Sequence, residues 1–565
     1  MPDKPAILDY LRRHCITDLL AGASGAAAGV PMAMGFSVIA GVSPIYGLYT
    51  IVVATIVAAL TTSSVFMTVS PTNALVLIVG SMLVAGAEVD FPGRVFTLTL
   101  LVGLIQLALG LARAGNLFRF VSNAVMTGFV SGAGLLIIIN QLPALSGPAI
   151  RGSGNALSRM ATWLQGLGHL EAQTLVVGLL SVILIVLLKR TRLKLLAMLL
   201  ALIVCSALVS LAGWQDVTLT GELMSVPAGL PKLVLPNPAY VPDIALVAVA
   251  IALLASLQSA GLTRMVPQPD GSQANVHSDL TGQGLANIAG GLFQGLPSGG
   301  SLSRTAVNLS AGAYGRMANV YSGLFVAAIL LVLGPFVERI PLSALAGQLI
   351  VAATSLIRPD SLKMAWRVSV ASRSAMVVTF LSTLFFPLEY SVYIGVFLSL
   401  LMYVWTSASN LQIRRLVETE DGQFREESVP DELPGNDVIV FSVAGNLYFA
   451  AISRLEDLLP VPATNGGGSV VILRLRDNQY LGSTGISFLR EYARKLEAGG
   501  GRLVLAAVSQ DVRQQLDRTG EADWLEPIFP AEDVVFASTR RALAWGRDWL
   551  RQQESERIEE SDIGS

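Results

Sequence analysis

Charge is what this chain has least of. Of its 565 residues only 14% are Asp, Glu, Lys or Arg, against 53% hydrophobic, and the mean hydropathy is +0.61. A soluble domain needs about 25% charged residues to clothe its surface, so an ordinary soluble enzyme is excluded and most of the chain is expected to sit in a bilayer. The net charge of −2 leaves no basic excess to neutralise phosphates, which excludes a nucleic-acid binder. Two cysteines, Cys15 and Cys205, stand far apart in apolar surroundings and make neither a disulfide framework nor a metal site. Three histidines, His14, His169 and His277, show no ligand spacing. Residues 1–18 are polar and no cleavage-like sequence ends the first apolar stretch, so no signal peptide is expected. The glycine run at 466–468 lacks the Lys and Ser/Thr of a phosphate loop, and no cofactor is expected.

What is present is a series of apolar spans. The first covers 19–50, with a break expected at Pro31 because proline removes a ladder hydrogen bond, and a turn at Pro44 to Gly47. Others follow at 50–59, from Pro71 to about Gly86, and at 95–111, 124–142, 174–188 and 195–211. After a connector the pattern resumes at 244–262, 280–293, 302–313, 320–336, 342–357, 371–386 and 390–405. Seven spans in each half, an odd number, put the second half upside down relative to the first, an inverted repeat of the kind found in secondary transporters. The third span of each half is short and preceded by an irregular, hydroxyl-rich segment, residues 68–71 and 295–301. With the amino terminus in the cytoplasm, Arg113 and Arg119, the basic residues from Lys189 to Lys194, and Arg264, Arg316, Arg358 to Arg373, Arg414 and Arg415 all fall inside. Glu88, Asp90, Asp216, Glu222 and Glu338 then fall outside, with Arg151, Arg159 and Arg339 as exceptions.

Composition changes after Arg415. A charged linker, 411–435, leads to alternating strand and helix patterns: a strand pair at 438–451, a helix at 453–459, a strand at 469–478, a helix at 484–501, a strand at 502–508 and a helix at 511–520. This is a small α/β domain. The expected organisation is a cytoplasmic segment 1–17, transmembrane repeats 18–213 and 243–410 joined by an extracytoplasmic connector 214–242, the linker, the α/β domain 436–552, and a disordered acidic tail 553–565.

The chemistry is expected at the two broken spans. Irregular backbone at membrane depth survives only against protein or a water-filled cavity. Helix amino termini carry partial positive charge and unpaired N–H groups, so two half-helices meeting at the midplane make an anion site. Pro71, Thr72 and Asn73 mark one start and Ser301, Leu302 and Ser303 the other, with Ser70, Ser298, Gly299 and Gly300 beside them as small residues that allow close approach. Arg304, just inside the second half-helix, could balance an anion or set the field of the cavity, or else snorkel or pair with a structural carboxylate. Gly25/Gly29 and Gly128/Gly132 have the spacing of close helix contacts.

The segments PMAMGFSVIAGVSPIYGLYT, TVSPTNALVLIVG and NVHSDLTGQGLANIAGGLFQGLPSGGSLSRTAVNLSAGA resemble the SulP sulfate permease family, related to prestin and pendrin, and the tail resembles its STAS domain. The resemblance spans nearly the whole chain. It implies an α-helical polytopic fold, a 7+7 inverted repeat with core and gate domains, elevator-type movement, usually a homodimer, and a cytoplasmic STAS domain. Matching the family's pocket position by position adds Met32 and Phe36 to the two helix starts, Met32 standing where many relatives have Gln. Gln258 stands where many have a carboxylate, and Leu262 where sodium-coupled members have a hydroxyl. Gln258 does not titrate, so cation coupling there is not expected; it either bonds the substrate or pins helices. Ser483 matches the phosphorylated serine of soluble STAS relatives, with Gly482 replacing its acidic neighbour; Ser483 or Thr484 is expected to cap a helix. The function implied is secondary transport of a small anion across a cell membrane, with both termini cytoplasmic. A channel-like conductor, or a non-transporting membrane protein signalling through STAS to a cytoplasmic partner, are the alternatives. Sulfate, bicarbonate, chloride and dicarboxylates are not distinguished.

Overall fold

A computed structural model describes residues 14–563 apart from 85–89, 116–121, 148–154, 195, 224–228, 267, 410, 446, 448, 462–467, 477 and 522. Segment 1–13, the end of the third span at Gly86, Glu88, Arg119, Arg151, Gly466 and Gly467 lie outside the described residues. The chain forms two compact units, Met1–Ser399 and Leu400–Ser565.

In the first unit, helices α1 (Cys15–Ile39), α2 (Pro44–Thr61), α3 (Asn73–Val84), α4 (Phe91–Leu111), α5 (Asn123–Ser146), α6 (Ala156–Gln165), α7 (Ala172–Lys189) and α8 (Ala197–Ala212) make the first half. Helices α9 (Val241–Met265), α10 (Val276–Leu292), α11 (Leu302–Ser310), α12 (Met317–Val337), α13 (Leu342–Thr354), α14 (Pro359–Val368), α15 (Val370–Phe385) and α16 (Leu388–Ser409), whose last residues from Leu400 belong to the second unit, make the second. Leaving out the amphipathic α6 and α14, each half holds seven spans, the 7+7 architecture. Among the described residues eight helices are long and apolar enough to cross a bilayer unaided. Two strands of two residues, β1 (Val69–Ser70) and β2 (Gly299–Gly300), precede α3 and α11.

The break expected at Pro31 does not occur: α1 continues through it to Ile39. The ring removes one ladder bond, which packing among neighbouring helices offsets. The reversal comes instead at Gly41, whose φ of 76° suits a residue without Cβ, and Pro44 opens α2 rather than closing α1.

One bundle is built where α10 packs on α4, α12 on α1 and α9 on α4; the other where α15 and α13 pack on α5 and α13 on α7. Helices α4 and α10 meet backbone to backbone: a Cβ on Gly103 would lie 2.5 Å from the Ile288 nitrogen, and one on Gly284 2.5 Å from that of Leu107. Gly128 and Gly132 likewise seat α5 on α15.

A buried carboxylate ties the ends of α2, α9 and α10 together. Asp279 Oδ1 accepts from the Ser63 nitrogen and hydroxyl, both at 2.7 Å, and from the Ser64 nitrogen at 2.8 Å. Its Oδ2 accepts from Ser64 Oγ and from Thr263 Oγ1 at 2.7 Å. Arg316 caps the same turn by donating to the Thr62 carbonyl at 2.5 Å. Asp279→Asn turns one oxygen into a donor facing donors, and hydrogen bonds to a charged group are worth about 1.5–3 kcal/mol. The variant is expected to melt several degrees lower in detergent by a fluorescence unfolding scan.

The second unit carries a six-stranded sheet of β3 (Gln412–Glu418), β4 (Phe424–Glu427), β5 (Val438–Ala444), β6 (Val470–Arg474), β7 (Arg502–Val508) and β8 (Ile528–Pro530), in the order β4-β3-β5-β6-β7-β8. The last four are parallel, joined by helices α17 (Phe449–Leu458), α18 (Gly482–Ala498) and α19 (Gln510–Thr519). Helix α20 (Ala537–Ile563) follows. Three expectations are corrected here. The supposed linker contains the hairpin β3–β4, whose alternation is masked because much of it is exposed. The supposed strand pair is one strand followed by α17. The acidic tail continues α20, helped by pairs such as Arg551 with Asp548 at 3.6 Å. Ser483 does not cap α18: it lies exposed inside the first turn, and the Gln515 Oε1 accepts from the Leu481 and Gly482 nitrogens at 3.2 and 3.3 Å.

Candidate binding site between two half-helices

Each half supplies one broken segment, and the two meet. Strand β1 pairs antiparallel with β2, Val69 opposite Gly300 and Ser70 opposite Gly299, so α3 and α11 start beside each other. The Ser301 nitrogen extends the pairing by donating to the Thr68 carbonyl at 2.9 Å. Ser301 Oγ then caps α11, accepting from the Arg304 nitrogen at 3.4 Å.

Side chains satisfy the irregular backbone that lipid would leave unpaired. Thr50 Oγ1 accepts from the Leu296 nitrogen at 2.8 Å, and Thr99 Oγ1 donates to the Gly295 carbonyl at 3.0 Å. Asn287 holds Ser298 from both sides, at 2.8 and 2.9 Å. Ser259 Oγ accepts from the Gly300 nitrogen at 3.0 Å and from Gln283, which in turn accepts from Gln106 at 3.2 Å. On the opposite strand, Asn319 Nδ2 donates to the Met67 carbonyl at 3.1 Å and its Oδ1 accepts from Thr68 Oγ1 at 2.7 Å. Sequence reasoning passed over Gln106, Gln283, Asn287 and Asn319. Their signal was there: an amide inside an apolar span needs a partner.

A cavity of about 430 Å³ opens at the paired starts. Of the residues expected at the site, Phe36, Thr72, Gln258, Gly300, Ser301, Leu302 and Ser303 line it. Thr72 Oγ1 donates to Gln258 Oε1 at 3.2 Å, tying α9 to the start of α3, and Leu262 completes that wall. Met32 packs into the apolar cluster beside the cavity, while Ser70 and Pro71 are buried behind the strand pair. Asn73, expected only as part of the helix start, lines the cavity itself, and its Oδ1 is buried with no partner among the described residues. Arg358 also lines it. Gly300 is required by close approach: a Cβ there would lie 2.9 Å from Leu262 Cδ1 and 3.0 Å from Ser259 Oγ.

Arg304 stands apart from the cavity lining. It is 4% exposed and turns toward α1 and α12, where Nη2 donates to Ser322 Oγ of α12 at 3.2 Å and to the Gly25 carbonyl of α1 at 3.5 Å. Its Nε and Nη1 are buried with no partner, and among the described residues no carboxylate forms an ion pair with it. Gly29 makes the space, because a Cβ there would come 2.9 Å from Nη2. Gly29 is therefore a seat for a cation as well as a packing residue.

Anions suit such a place: two sets of helix N–H groups, several hydroxyls and amides, and an uncompensated cation behind one helix. A profile of the Sulfate permease family matches residues 16–379, and one of the STAS domain residues 432–534. The chain belongs to the sulfate permease family. This is a family of multi-pass anion transporters, not enzymes. The chain is 27% identical over 537 residues to sulfate transporter 4.1, chloroplastic, of Arabidopsis thaliana, covering 89% of this chain and 76% of the relative. It is 26% identical over 643 residues to human sulfate anion transporter 1, covering 97% and 91%. Among solved structures, the murine Solute Carrier 26 family member A9 anion transporter in its inward-facing state superposes with a TM-score of 0.82 at 20% identity, over 94% of each chain. The transmembrane domain of the cyanobacterial bicarbonate transporter BicA does so with a TM-score of 0.57 at 22% identity, over 68% of this chain and 97% of that one.

Proposed function

We propose that this sulfate permease is a secondary transporter that carries a small anion in the cavity between the starts of α3 and α11, by an elevator-type shift of core against gate. The observation that carries the reading is the strand pair Val69–Ser70 with Gly299–Gly300, which brings two helix amino termini to one cavity lined by Thr72, Asn73, Gln258 and Ser303. The termini are cytoplasmic, and the cavity, whose lining takes in the start of α5 at Asn123 and the end of α9 at Met265, faces inward. The protein works as a homodimer, and the exposed Ser483 of the STAS domain is available to a cytoplasmic regulatory partner. Phe36 and Ala133 of the cavity wall belong to one buried apolar cluster with Leu77 and Ile137, which favours alternating access over a channel.

Sulfate is the first anion to test, because relatives named as sulfate transporters align with 89% to 97% of this chain. A counterflow panel in proteoliposomes with sulfate, bicarbonate, chloride, nitrate, fumarate and succinate, each with and without sodium or proton gradients, reads the substrate directly. Saturable, counter-substrate-accelerated uptake of at least one anion is expected. Uptake is expected to be indifferent to sodium, since Gln258 and Leu262 offer no charged ligand; a sodium requirement would overturn that part. Anion binding without any uptake would defeat the transport reading.

A further inference from the structure

A second cavity, of about 440 Å³, is lined by the same helices α1, α3 and α5. Helix α5 passes both: Met126, Val130 and Ala133 border the inner cavity, and Leu136, Ile137, Asn140 and Gln141 border this one. Ala133 and Leu136 are three positions apart, about 4.5 Å along a helix axis, so the partition along α5 is thin. In the orientation proposed above, the second cavity lies on the outer side.

Its lining is not that of a passive apolar cleft. Helix α6, capped where Asn155 Oδ1 accepts from the Ser158 nitrogen at 3.0 Å, brings Arg159 into the wall. Arg159 Nη1 donates to Asn140 Oδ1 at 2.9 Å, which aims the guanidinium, while its Nε is buried with no partner. Among the described residues no carboxylate is within ion-pair distance of Arg159. The acid at this rim, Glu389, instead accepts from Ser81 Oγ at 3.3 Å. Gln141 adds an amide to the wall. A permanently charged fork with an unused N–H group, set in a cavity across a thin partition from the carried anion, has the chemistry to receive an anion.

We propose that this outer cavity is a second anion site, in which Arg159, aimed by Asn140, holds a small anion on the path between the outside and the inner cavity. The proposal rests on the transport reading. Its test uses the full-length protein and two probes, labelled sulfate and iodide. Equilibrium binding to the purified protein is expected to show two classes of site for at least one probe in the wild type and one class in Arg159→Gln. In proteoliposomes, Arg159→Gln is expected to raise the half-saturating external concentration about tenfold, the loss of one charge-assisted hydrogen bond, and to leave the internal value unchanged. Arg159→Lys is expected to restore part of the shift, and Asn140→Leu to show a smaller one of the same sidedness. A single class of site in the wild type, or unchanged external half-saturation in monodisperse Arg159→Gln and Asn140→Leu, overturns the outer site and leaves the inner one standing. Binding of neither probe to the wild type overturns both.

Discussion

Arg304→Ala is expected to weaken anion binding roughly tenfold or more without destabilising the protein. The guanidinium is buried, its Nε and Nη1 have no partner, and the groups it does reach, Ser322 Oγ and the Gly25 carbonyl, are neutral. A buried cation left without an acid costs folding free energy. Its compensation is therefore expected to come from the bound anion, through the field across α11. Two unit charges about 10 Å apart at an effective dielectric of about 20 attract by ~1.7 kcal/mol, a little over tenfold in affinity. Equilibrium binding of labelled sulfate and a thermal scan on the same preparation check both halves: affinity falls while the apo melting temperature holds or rises. Arg304→Lys is expected to keep most of the affinity. Gly29→Ala, which crowds the guanidinium at 2.9 to 3.1 Å, is expected to lower affinity with the charge still present. Unaltered binding in Arg304→Ala would remove the residue from the mechanism.

Gly300→Val is expected to abolish counterflow. Its Cβ alone would meet Leu262 Cδ1 at 2.9 Å, Ser259 Oγ at 3.0 Å and Met67 Sδ at 3.1 Å, and the added methyl groups have no space among them. Overpacking of this kind costs about 1–3 kcal/mol. Here the cost falls on the strand pair with Val69 and on the bond from the Gly300 nitrogen to Ser259, which together fix where the two helix starts point. Gly300→Ala, with one methyl, is expected to retain partial transport. Wild-type uptake by Gly300→Val, reconstituted at equal density, would show that the strand pair does not set the site.

Both broken spans were legible because glycine, serine and proline at membrane depth stand out against apolar neighbours. That they pair strand to strand was not, since two-residue strands have no periodicity and the partners lie far apart in sequence. The direction of Arg304 escaped for a simpler reason. At 3.6 residues per turn it points about 100° away from Ser303, so one lines the cavity and the other faces α1 and α12. Asn73 was read as part of a helix start but not as cavity wall, because which face of α3 looks inward depends on where α5 and α9 pack. In the STAS domain, buried strands such as Val470–Arg474 declare themselves as apolar runs, whereas β3 and β4, half exposed, read as a charged linker.

The sequence by itself determined that this is a polytopic membrane protein with two matched halves, two broken helices and an α/β tail, because burial in lipid and period-2 or period-3.6 patterning are local properties that each segment carries alone. Only the tertiary structure decided that the broken helices share a strand pair, that side chains from five other helices satisfy their backbone, and that Arg304 lies behind the cavity rather than in it. Those outcomes depend on which faces of distant helices meet. Hydrogen-bond partners of buried groups are chosen by packing, and packing is not written in any one segment.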